Sequence, residues 1–468
     1  MFVPNGTHVT KAKVVRLEQI RLLGKIGKNK MRKMKNSGIE WIGEIPEDWE
    51  ILKAKQIFKQ RNSKGNVVEV QLAATQKYGM YPQKLLEGVV QVKEDTDLQQ
   101  FKTVHKNDYV ISLRSFQGGF EMSDYEGVCS PAYQVFYNTR KIEYKYFKYL
   151  FKCDGFISKM NSLTVGIREG KNIQYKDFAG NFLPVPPLTS QLSLITFLEK
   201  KCSEIDSVIS KTRETIEEYK KLKQSIITEV VTGKVKIENE KACGKYDTYK
   251  DSGIEWIGEI PSEWEVKPIK ALFSFGKGLP ITKDNLTETG LSVISYGQIH
   301  SKNNIGTEIR NELIRYVDKI YYETNPQSLV HKGDFIFADT SEDLEGCGNF
   351  VYVNREEVLF AGYHTIILFS KEKNDNKYLA YLFQTDCWRR QIRCCCSGVK
   401  LFSISRRILG STNLILPSIL EQQQISDFLD KKCSEIDKLI TKKEQLVVEL
   451  ESYKKSLIYE VVTGKKES

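Results

Sequence analysis

One internal repeat constrains the fold of this chain more than any other feature of its sequence. The ten residues SGIEWIGEIP occur at Ser37–Pro46 and again, unchanged, at Ser252–Pro261, and a further tryptophan follows each copy, at Trp49 and Trp264. Four of the five tryptophans therefore belong to this repeated region. The offset of 215 residues (252 − 37) is far longer than the periods of about 20–50 residues that build solenoids. The chain is predicted to be a duplicated half-protein.

Two further matches mark the end of each half. The sequence KKCSEID occurs at Lys200–Asp206 and Lys431–Asp437, and EVVTGK occurs at Glu229–Lys234 and Glu460–Lys465. Both pairs are offset by 231 residues, so the second half carries 16 extra residues (231 − 215). Since the extra residues lie between the motifs, each half is predicted to have a constant start, a variable middle and a constant end.

The constant end of each half has the pattern of a long amphipathic helix. Seam residues alternate at spacings of three and four over about five heptads, which is typical of a coiled coil. The first seam comprises Ile195, Leu198, Cys202, Ile205, Ile209, Thr212, Ile216, Tyr219, Lys223, Ile226 and Val230, and the second comprises Leu429, Cys433, Ile436, Ile440, Lys443, Val447, Leu450, Lys454, Leu457 and Val461. Gly233 and Gly464 follow the seams in the position of helix C-terminal caps.

Lys223 and Lys454 occupy equivalent positions in the two seams. A buried polar residue in a seam fixes the register at a cost in stability, whereas a lysine can also extend its charge to solvent; the sequence leaves both readings open.

The two helices are predicted to pair with each other, because one chain holds both at a high effective concentration. They run antiparallel if a pseudo-two-fold axis relates the halves. Binding of a partner protein by the helices is an alternative that does not exclude this pairing.

The variable middles share a pattern but little sequence. Each is predicted to form strands and then a short helix, at Asn107–Ile111, Gln134–Tyr137 and Tyr144–Lys152 in the first half and at Gly333–Phe337, Thr365–Phe369 and Lys377–Gln384 in the second. The predicted fold class is α+β, with two globular domains joined by two long antiparallel coiled-coil helices. The predicted segments are a disordered basic arm (1–35), a first domain (36–183), a long helix (184–233), a linker (234–250), a second domain (251–414) and a distal long helix (415–468).

The net charge of +10 is concentrated at the N-terminus. Residues 1–35 contain ten lysines and arginines and one acid, a net +9, whereas the other 433 residues have 60 basic and 59 acidic side chains, a net +1. The arm is either a flexible tail that contacts phosphates or an upstream extension without a role, with the functional chain starting at Met34. The second reading is preferred.

Motifs for catalysis are missing from the sequence. It contains no GxxxxGK[ST] loop, no GxGxxG after a strand and no Asp-Pro-Pro-Tyr or Asn-Pro-Pro-Tyr motif of amino-methyltransferases. The adjacent cysteines 394–396 lack metal-ligand spacing and are interpreted as free thiols in a reducing cytoplasm. Five histidines stand apart, without an HExxH motif: His8, His105, His300, His331 and His364. No catalytic residue, metal or cofactor is predicted.

No apolar run approaches the roughly 18 residues that a membrane-spanning helix needs. The sequence therefore predicts no association with a membrane and a cytoplasmic location.

Polar and aromatic residues cluster where predicted strands end. Arg and Lys can read guanine edges and Gln can read adenine, while other side chains contact phosphates. The candidate DNA-binding residues are Thr75, Gln76, Lys77, Tyr78, Arg114, Ser115 and Gln117 in the first half, and Tyr296, Gln298, Thr340, Ser341, Arg389, Arg390, Arg393 and Lys400 in the second. Residues 50–183 carry a net +6 (20 − 14) and residues 265–414 a net +2 (19 − 17). Because this excess is modest, an ordinary solvated surface is the alternative.

The repeated SGIEWIGEIP motifs, together with the helices that carry KKCSEID and EVVTGK, resemble the specificity (S) subunit of type I restriction–modification systems. The resemblance covers essentially all of the chain after residue 35. It implies two target-recognition domains, each reading one half of a bipartite site in double-stranded DNA, and two helices that space them. It also implies a non-catalytic subunit that docks two methyltransferase (M) subunits and restriction (R) subunits.

The resemblance further implies that the helix faces and four tryptophans (Trp41, Trp49, Trp256 and Trp264) form the conserved frame and the subunit contacts. Packing of these tryptophans in the domain core is the alternative. One departure from the family pattern is Ser190–Gln191 at the start of the first helix, where the second helix has Glu421–Gln422. Ser190 can still cap a helix, so the departure is expected to weaken a partner contact rather than the fold.

Two other functions compete with this interpretation. A fused methyltransferase or nuclease would need a cofactor motif, which the sequence lacks. A non-catalytic coiled-coil scaffold without sequence-specific DNA binding would share the helices but would direct no methylation to a defined site.

Overall fold

The computed structural model describes residues 32–64, 70–76, 78–86, 98–113, 119–163, 173–371, 373–398 and 401–467. The chain forms two compact units: unit 1 comprises residues 1–210 and 447–468, and unit 2 comprises residues 211–446. Both unit boundaries fall within long helices, whereas the predicted domain boundaries fall at the helix starts. The predicted domain limits remain predictions.

Unit 1 is built around a four-stranded antiparallel sheet. Its described strands are β1 (Met34–Asn36), β2 (Glu44–Pro46), β3 (Glu50–Lys53), β4 (Phe58–Arg61), β5 (Leu72–Thr75), β6 (Gly79–Pro82), β7 (Lys102–Val104), β8 (Tyr109–Ile111), β9 (Phe120–Met122), β10 (Gly127–Cys129), β11 (Gln134–Asn138) and β12 (Phe182–Val185). Its described helices are α1 (Ala54–Ile57), α2 (Tyr144–Leu150), α3 (Asp154–Ser162), α4 (Tyr175–Ala179) and the first part of α5 (Leu188–Val231). The sheet order is β4-β11-β8-β9, and smaller pairs join β1 to β2, β3 to β12, β5 to β6 and β7 to β10.

Unit 2 repeats this plan with additions. Its described strands are β13 (Lys236–Glu238), β14 (Lys241–Gly244), β15 (Tyr249–Asp251), β16 (Glu259–Pro261), β17 (Glu265–Pro268), β18 (Phe273–Lys277), β19 (Leu286–Thr287), β20 (Leu291–Ile294), β21 (Arg315–Val317), β22 (Leu329–Val330), β23 (Phe335–Ala338), β24 (Thr340–Ser341), β25 (Phe350–Tyr352), β26 (Leu359–Ala361), β27 (Thr365–Ser370), β28 (Phe402–Ser403) and β29 (Asn413–Leu416). Its described helices are α6 (Ile269–Leu272), α7 (Tyr296–Ile299), α8 (Tyr321–Thr324), α9 (Asn376–Gln384), α10 (Asp386–Arg393), α11 (Arg406–Gly410) and the first part of α12 (Ile419–Val462).

The sheet β18-β27-β23-β25 of unit 2 matches β4-β11-β8-β9 of unit 1 in chain order and in antiparallel pairing. Unit 2 adds the five-stranded sheet β19-β21-β20-β26-β22, in which β20 and β26 run parallel. The strands predicted near residues 107, 134, 333 and 365 and the helices predicted near 144 and 377 are confirmed as β8, β11, β23, β27, α2 and α9. The α+β fold class is therefore correct for both units.

Aromatic side chains form equivalent contacts in the two cores. Phe58 on β4 packs edge to face against Tyr109 on β8, with ring centroids 5.4 Å apart. In unit 2, Phe273 on β18 and Phe335 on β23 form the matching pair at 5.6 Å. All four rings are buried, because alternate residues of each strand face the helices that cover the sheet.

The two constant motifs of the sequence meet in space within each unit. Gly464 has φ +75° after the end of α12, and a Cβ there would lie 2.3 Å from Pro46 and 3.0 Å from the Trp49 ring. Gly233 has φ +71° after α5, with the same approach to Pro261. Both predicted C-terminal caps are thus confirmed, and glycine is required for conformation and for space. This contact explains why both motifs recur together.

The long helices α5 and α12 contain 44 residues each. Within unit 2, the Lys223 ammonium lies 2.7 Å from Asp437, and the Lys443 ammonium lies 5.9 Å from the centre of the Tyr219 ring. Residue numbers rise along one helix as they fall along the other, so the two helices run antiparallel there, as predicted. Most apolar seam residues are buried in their units, among them Leu198, Ile205, Leu429 and Val461.

Both seam lysines form ion pairs with the aspartate of a KKCSEID motif. Lys223 contacts Asp437 in unit 2, and Lys454 contacts Asp206 at 2.6 Å in unit 1. Each lysine side chain is about a quarter exposed, at 23% and 28%. The lysines therefore do not simply extend into solvent; each lies at the edge of its seam and joins one long helix to the other.

A buried tyrosine holds each long-helix end against the neighbouring strand. The Tyr146 hydroxyl donates towards the carbonyls of Val462 (2.7 Å) and Pro184 (3.4 Å). The Tyr378 hydroxyl in unit 2 lies 3.1 and 3.0 Å from the equivalent carbonyls, of Val231 and Ile415. The same pair of hydrogen bonds therefore joins the end of a long helix to a strand in both units.

Short strands occur at the end of the predicted disordered arm and in the predicted linker. Strand β1 begins inside the predicted arm, and Arg32 forms an ion pair with Asp48 at 2.8 Å. Strands β13 and β14, with the start of β15, occupy the predicted linker. Backbone pairing with the adjacent repeat motif supplies the reason for the outer strands, because β1 pairs with β2 and β15 pairs with β16. Residues 1–31 lie outside the described part of the chain.

Candidate nucleic-acid interface

The turn between β5 and β6 carries the first predicted residues of unit 1. Thr75 closes the turn, because its Oγ1 donates to the Gly79 carbonyl (3.0 Å) and accepts from the Tyr78 amide (2.9 Å). The Tyr78 ring, 46% exposed, lies 5.0 Å from Tyr81, which in turn lies 5.6 Å from the exposed Tyr125. These three tyrosines present an aromatic surface with polar ends, which suits stacking against bases and contact with deoxyribose.

Tyr81 and Tyr125 were not identified from the sequence. Tyr81 lies only three residues after Tyr78, a spacing that could have drawn attention to it, whereas Tyr125 reaches the group only through the fold. Gln76 is exposed in the same turn. The remaining predictions for this unit, and one for unit 2, fall outside the described residues and stay predictions: Lys77, Arg114, Ser115, Gln117 and Lys400.

Tyr296 lies at the centre of an aromatic group in unit 2. Its ring centroid is 5.6 Å from that of Tyr363, 5.4 Å from that of His364 and 6.3 Å from that of His300. Gln298 supports this group locally, because its side-chain oxygen accepts from the backbone amide of the residue before α7 at 3.1 Å. That bond holds the first turn of α7 and orients Tyr296.

A chain of side-chain hydrogen bonds links Arg389 to Thr340. Arg389 donates to the Asn349 amide oxygen (2.6 Å), and the Asn349 amide nitrogen lies 3.1 Å from Nδ1 of His300. His300 Nε2 lies 2.8 Å from the Thr340 carbonyl. Because Arg389 occupies the amide oxygen, Asn349 donates to Nδ1 and His300 donates from Nε2 to Thr340. His300 therefore holds the Thr340 carbonyl, and Ser341 follows buried in β24.

The predicted arginine cluster on α10 is engaged within the unit. Arg389 is half-buried and also donates to the Phe383 carbonyl at 2.9 Å, and burial lowers the pKa of its guanidinium to about 10. Arg390 pairs with Asp386 at 2.8 Å, and Arg393 pairs with the same carboxylate. Asp386 accordingly has a lowered pKa: its burial acts to raise that pKa, but the hydrogen bonds and charges of the two arginines outweigh it. Contacts of these arginines with DNA stay predictions, and Arg389 would have to leave its acceptors to make one.

His364 and Asp339 join the group around Tyr296, although the sequence had suggested no role for either. His364 Nδ1 lies 3.2 Å from an Asp339 carboxylate oxygen, and the Asp339 amide donates to the His364 carbonyl at 3.1 Å. His364 has φ +55°, in the left-handed region that non-glycine residues rarely adopt. A histidine directly after a strand and a Gly-Tyr pair was a weak signal, and only the fold places it beside Asp339.

The described residues contain no group of three or more His, Cys, Asp or Glu side chains arranged to hold a metal ion. Within that same part of the chain, no helix is both long and apolar enough to cross a membrane. The features that the two units do present are exposed aromatic rings, hydrogen-bonding groups and backbone turns at strand ends.

Both units are built on the same order of four strands, and they differ in the polar and aromatic residues at their strand ends. Residues 261–449 match the family model described as the type I restriction modification DNA specificity domain. The second half of the chain is therefore similar to the DNA specificity domain of type I restriction–modification systems.

Curated relatives and solved structures cover nearly the whole chain. The type I restriction enzyme MjaVIII specificity subunit of Methanocaldococcus jannaschii is 23% identical over 426 residues, which are 90% of this chain and 93% of the relative. The putative MjaX specificity subunit of the same organism is 24% identical over 458 residues, with 91% and 95% covered.

Two solved structures share the fold. The HsdS subunit from Thermoanaerobacter tengcongensis aligns with a TM-score of 0.50 at 14% identity, covering 90% of this chain and 98% of that one. A chain from a structure of type I restriction–modification complex assembly and conformational transition aligns with a TM-score of 0.66, also at 14% identity, covering 90% and 99%.

Proposed function

We propose that this chain is the DNA sequence-recognition subunit of a type I restriction–modification complex, in which each unit reads one half of a bipartite site in double-stranded DNA. The proposal rests on a comparison of the two units: the contacts that join the long helices to the strands are the same in both, whereas the residues at the strand ends differ. Tyr146 and Tyr378 make the same pair of hydrogen bonds in the two units. The residues at the strand ends, by contrast, differ in type and in number.

The two candidate reading surfaces differ in chemistry. Unit 1 offers three tyrosines around Tyr81, whereas unit 2 offers tyrosine, histidine and carboxylate groups around Tyr296. Different donors and acceptors recognise different base edges. The two half-sites are therefore expected to have different sequences, so that the complete site is not a palindrome.

The chain is proposed to act without catalytic residues or cofactors of its own. Two methyltransferase subunits and restriction subunits are the proposed protein partners, with the long helices and the tryptophan motifs as docking surfaces. The duplicated motifs support two copies of one partner, because equal surfaces bind equal subunits. The proposed compartment is the cytoplasm, since a DNA-reading subunit acts where its DNA lies.

Co-expression with its proposed methyltransferase partner tests the function. Sequencing of modified adenines in the host DNA is expected to show one bipartite motif, with two defined half-sites and a fixed gap. Each subunit expressed by itself serves as the control. Methylation without a defined motif, or none at all from an assembled complex, would instead support the coiled-coil scaffold; modification by this chain without its partner would indicate an enzyme.

A further inference from the structure

We propose that His364 is a specificity-determining residue of unit 2 and that its Nε2 accepts a hydrogen bond from the exocyclic amino group of a base, either adenine N6 or cytosine N4. This inference rests on the proposed function. His364 side-chain exposure is 57%, so the imidazole is accessible, whereas Asp339 beside it is 28% exposed. The ring thus faces solvent while one of its edges is held by the protein.

Two bonds between the same two residues fix the imidazole. Asp339 accepts from Nδ1 at 3.2 Å through its carboxylate, and its backbone amide donates to the His364 carbonyl at 3.1 Å. An ionised carboxylate only accepts, so Nδ1 carries a proton, and in the neutral form of the ring Nε2 is an acceptor. Among the residues that the structure describes, none forms a hydrogen bond with Nε2 of His364. The Tyr296 ring, 5.4 Å away and nearly perpendicular, limits rotation of the imidazole.

The backbone that carries His364 has little freedom to move. Gly362 donates to the Ile294 carbonyl at 2.7 Å, and a Cβ on Gly362 would lie 2.1 Å from Oγ of Ser295. A Cβ on Gly278 would lie 1.9 Å from the Gly362 carbonyl oxygen. These close approaches lock the strand end, and the left-handed conformation of His364 is maintained against its intrinsic cost. Strain that packing maintains at an exposed, oriented side chain is characteristic of binding sites.

An acceptor aimed outward from a rigid strand end selects base edges that donate. In the major groove, adenine offers N6 and cytosine offers N4 as donors, whereas guanine and thymine present acceptors at the equivalent places. His364 is therefore expected to favour adenine or cytosine at one position of one half-site. The base found at this position of the methylated motif distinguishes adenine from cytosine.

His364→Gly tests the inference in the co-expressed complex. Glycine tolerates the left-handed conformation, so the substitution removes the imidazole and relieves the backbone. The complex is expected to lose its preference at one position of one half-site, while the other half-site keeps its full sequence. With oligonucleotides that change each base singly, we expect discrimination at that position to fall by about 2- to 12-fold, which is the contribution of one neutral hydrogen bond.

His331→Gly is the matched control. His331 lies before the opposite end of β23, is 81% exposed and has an aspartate, Asp334, at 3.8 Å. Both half-sites should stay unchanged in this variant.

Asp339→Asn tests the positioning residue: the amide can donate to Nδ1 and favour the other tautomer, so the preferred base at the same position should change or become degenerate.

Three outcomes separate the inference from the function on which it rests. A wild-type complex without a bipartite motif contradicts the proposed function. A bipartite motif that His364→Gly leaves unchanged contradicts the role of His364 and leaves the function standing. A uniform loss of affinity with unchanged discrimination, measured by oligonucleotide binding of the assembled variant complex, also overturns the inference, because it indicates a phosphate contact or a structural role.

Discussion

One buried tryptophan differs from its repeat partner by a single hydrogen bond. In unit 2, the Trp264 indole nitrogen donates to Glu421 at 3.3 Å, and the Tyr246 hydroxyl donates to the same carboxylate. In unit 1, Ser190 stands where Glu421 stands in the repeat, and the Trp49 indole nitrogen is buried without a hydrogen-bond partner among the described residues. The departure at Ser190 therefore bears on packing, which the sequence-based interpretation had not expected.

Ser190→Glu is expected to supply the missing acceptor and to raise the free energy of unfolding of unit 1 by about 1 kcal/mol. Urea unfolding of the full chain, followed by tryptophan fluorescence, measures the effect. Glu421→Ser is the reciprocal variant and should lower the stability of unit 2 by about 1–3 kcal/mol, because it removes the acceptor of the buried Trp264 indole and of the half-buried Tyr246 hydroxyl. Equal stability of wild type and Ser190→Glu would show that Trp49 is already satisfied.

The carboxylate of Asp334 makes unit 2 sensitive to pH. Burial raises the pKa of Asp334 above its ordinary value, although the backbone amides of His331 and Ser370 donate to the carboxylate and oppose the shift. The native state then binds the proton more tightly than the unfolded state does. The stabilisation linked to this proton is present at low pH and is lost as pH rises through the native pKa.

Asp334→Asn is expected to remove this dependence. The difference in unfolding free energy between wild type and Asp334→Asn should fall as pH rises from about 4 towards neutrality, measured by urea unfolding at each pH. His331→Ala keeps the backbone amide that donates to Asp334, so the dependence should persist in that control. A wild-type advantage that grows with pH would contradict the assignment.

At the scale of elements, two reciprocal ion pairs between the long helices fix their register. The aspartate of each KKCSEID motif pairs with the lysine of the other repeat, Asp206 with Lys454 and Asp437 with Lys223. Each ion pair forms in this register of the two helices, and a shift of one helix along the other would separate the lysine from the aspartate. The repeated KKCSEID motif is thus explained by pairing between helices as well as by the seam cysteine.

The charge-reversal variants Lys223→Asp and Asp437→Lys test the ion pair between these two residues. Each single variant should destabilise unit 2, and the double variant should recover part of the loss, with a coupling energy of about 0.5–1 kcal/mol. Urea unfolding of the four proteins gives the double-mutant cycle. The control cycle uses Lys220 and Glu217, which pair within one helix at greater exposure and should couple by about 0.3–0.5 kcal/mol. Equal coupling in both cycles would argue against a special role for the seam pair.

At the scale of the whole molecule, the described part of the chain begins inside the basic N-terminal segment, at Arg32. Arg32 pairs with Asp48, and β1 begins at Met34. The boundary for a neutral deletion therefore lies before Arg32 and not after residue 33.

Deletion of residues 1–31 is expected to leave the methylated motif unchanged, because the near-neutral remainder contains both reading surfaces. Sequencing of modified adenines checks the result. Deletion of residues 1–36 is the comparison: loss of the Arg32–Asp48 pair and of the β1–β2 pairing should lower the stability of unit 1. A changed motif after the shorter deletion would assign a DNA contact to the arm.

The gap between the half-sites is expected to follow helix length. Insertion of one heptad into α5 after Ser210 and one into α12 after Leu446 keeps the ion pairs of each unit intact. Seven residues add about 10 Å of helix, or about three base pairs of DNA. The methylated motif should gain about three positions in the gap and keep both half-sites. The same number of residues inserted at Asn239, in the turn between β13 and β14, should leave the gap unchanged. Altered half-sites in the helix variant would contradict a spacing role.

The duplicated architecture could be read from the sequence, because local rules dictate it. Heptad spacing produces the helices, C-terminal glycines end them, and the motif at residue 37 recurs intact at residue 252. The strand ends that carry Thr75, Tyr296 and Thr340 were also predictable, since turns follow runs of buried residues. These features depend on neighbours in the chain.

The composition of each candidate surface depended on the tertiary structure. Tyr125 reaches Tyr81 across 44 residues of sequence, and Asp339 reaches His364 across 25. The arginines of α10 looked available from composition, yet the fold gives Arg389 acceptors inside unit 2. A sequence shows which side chains can bind DNA, but burial and internal partners decide which are accessible, because only contacts between distant segments determine where each side chain lies.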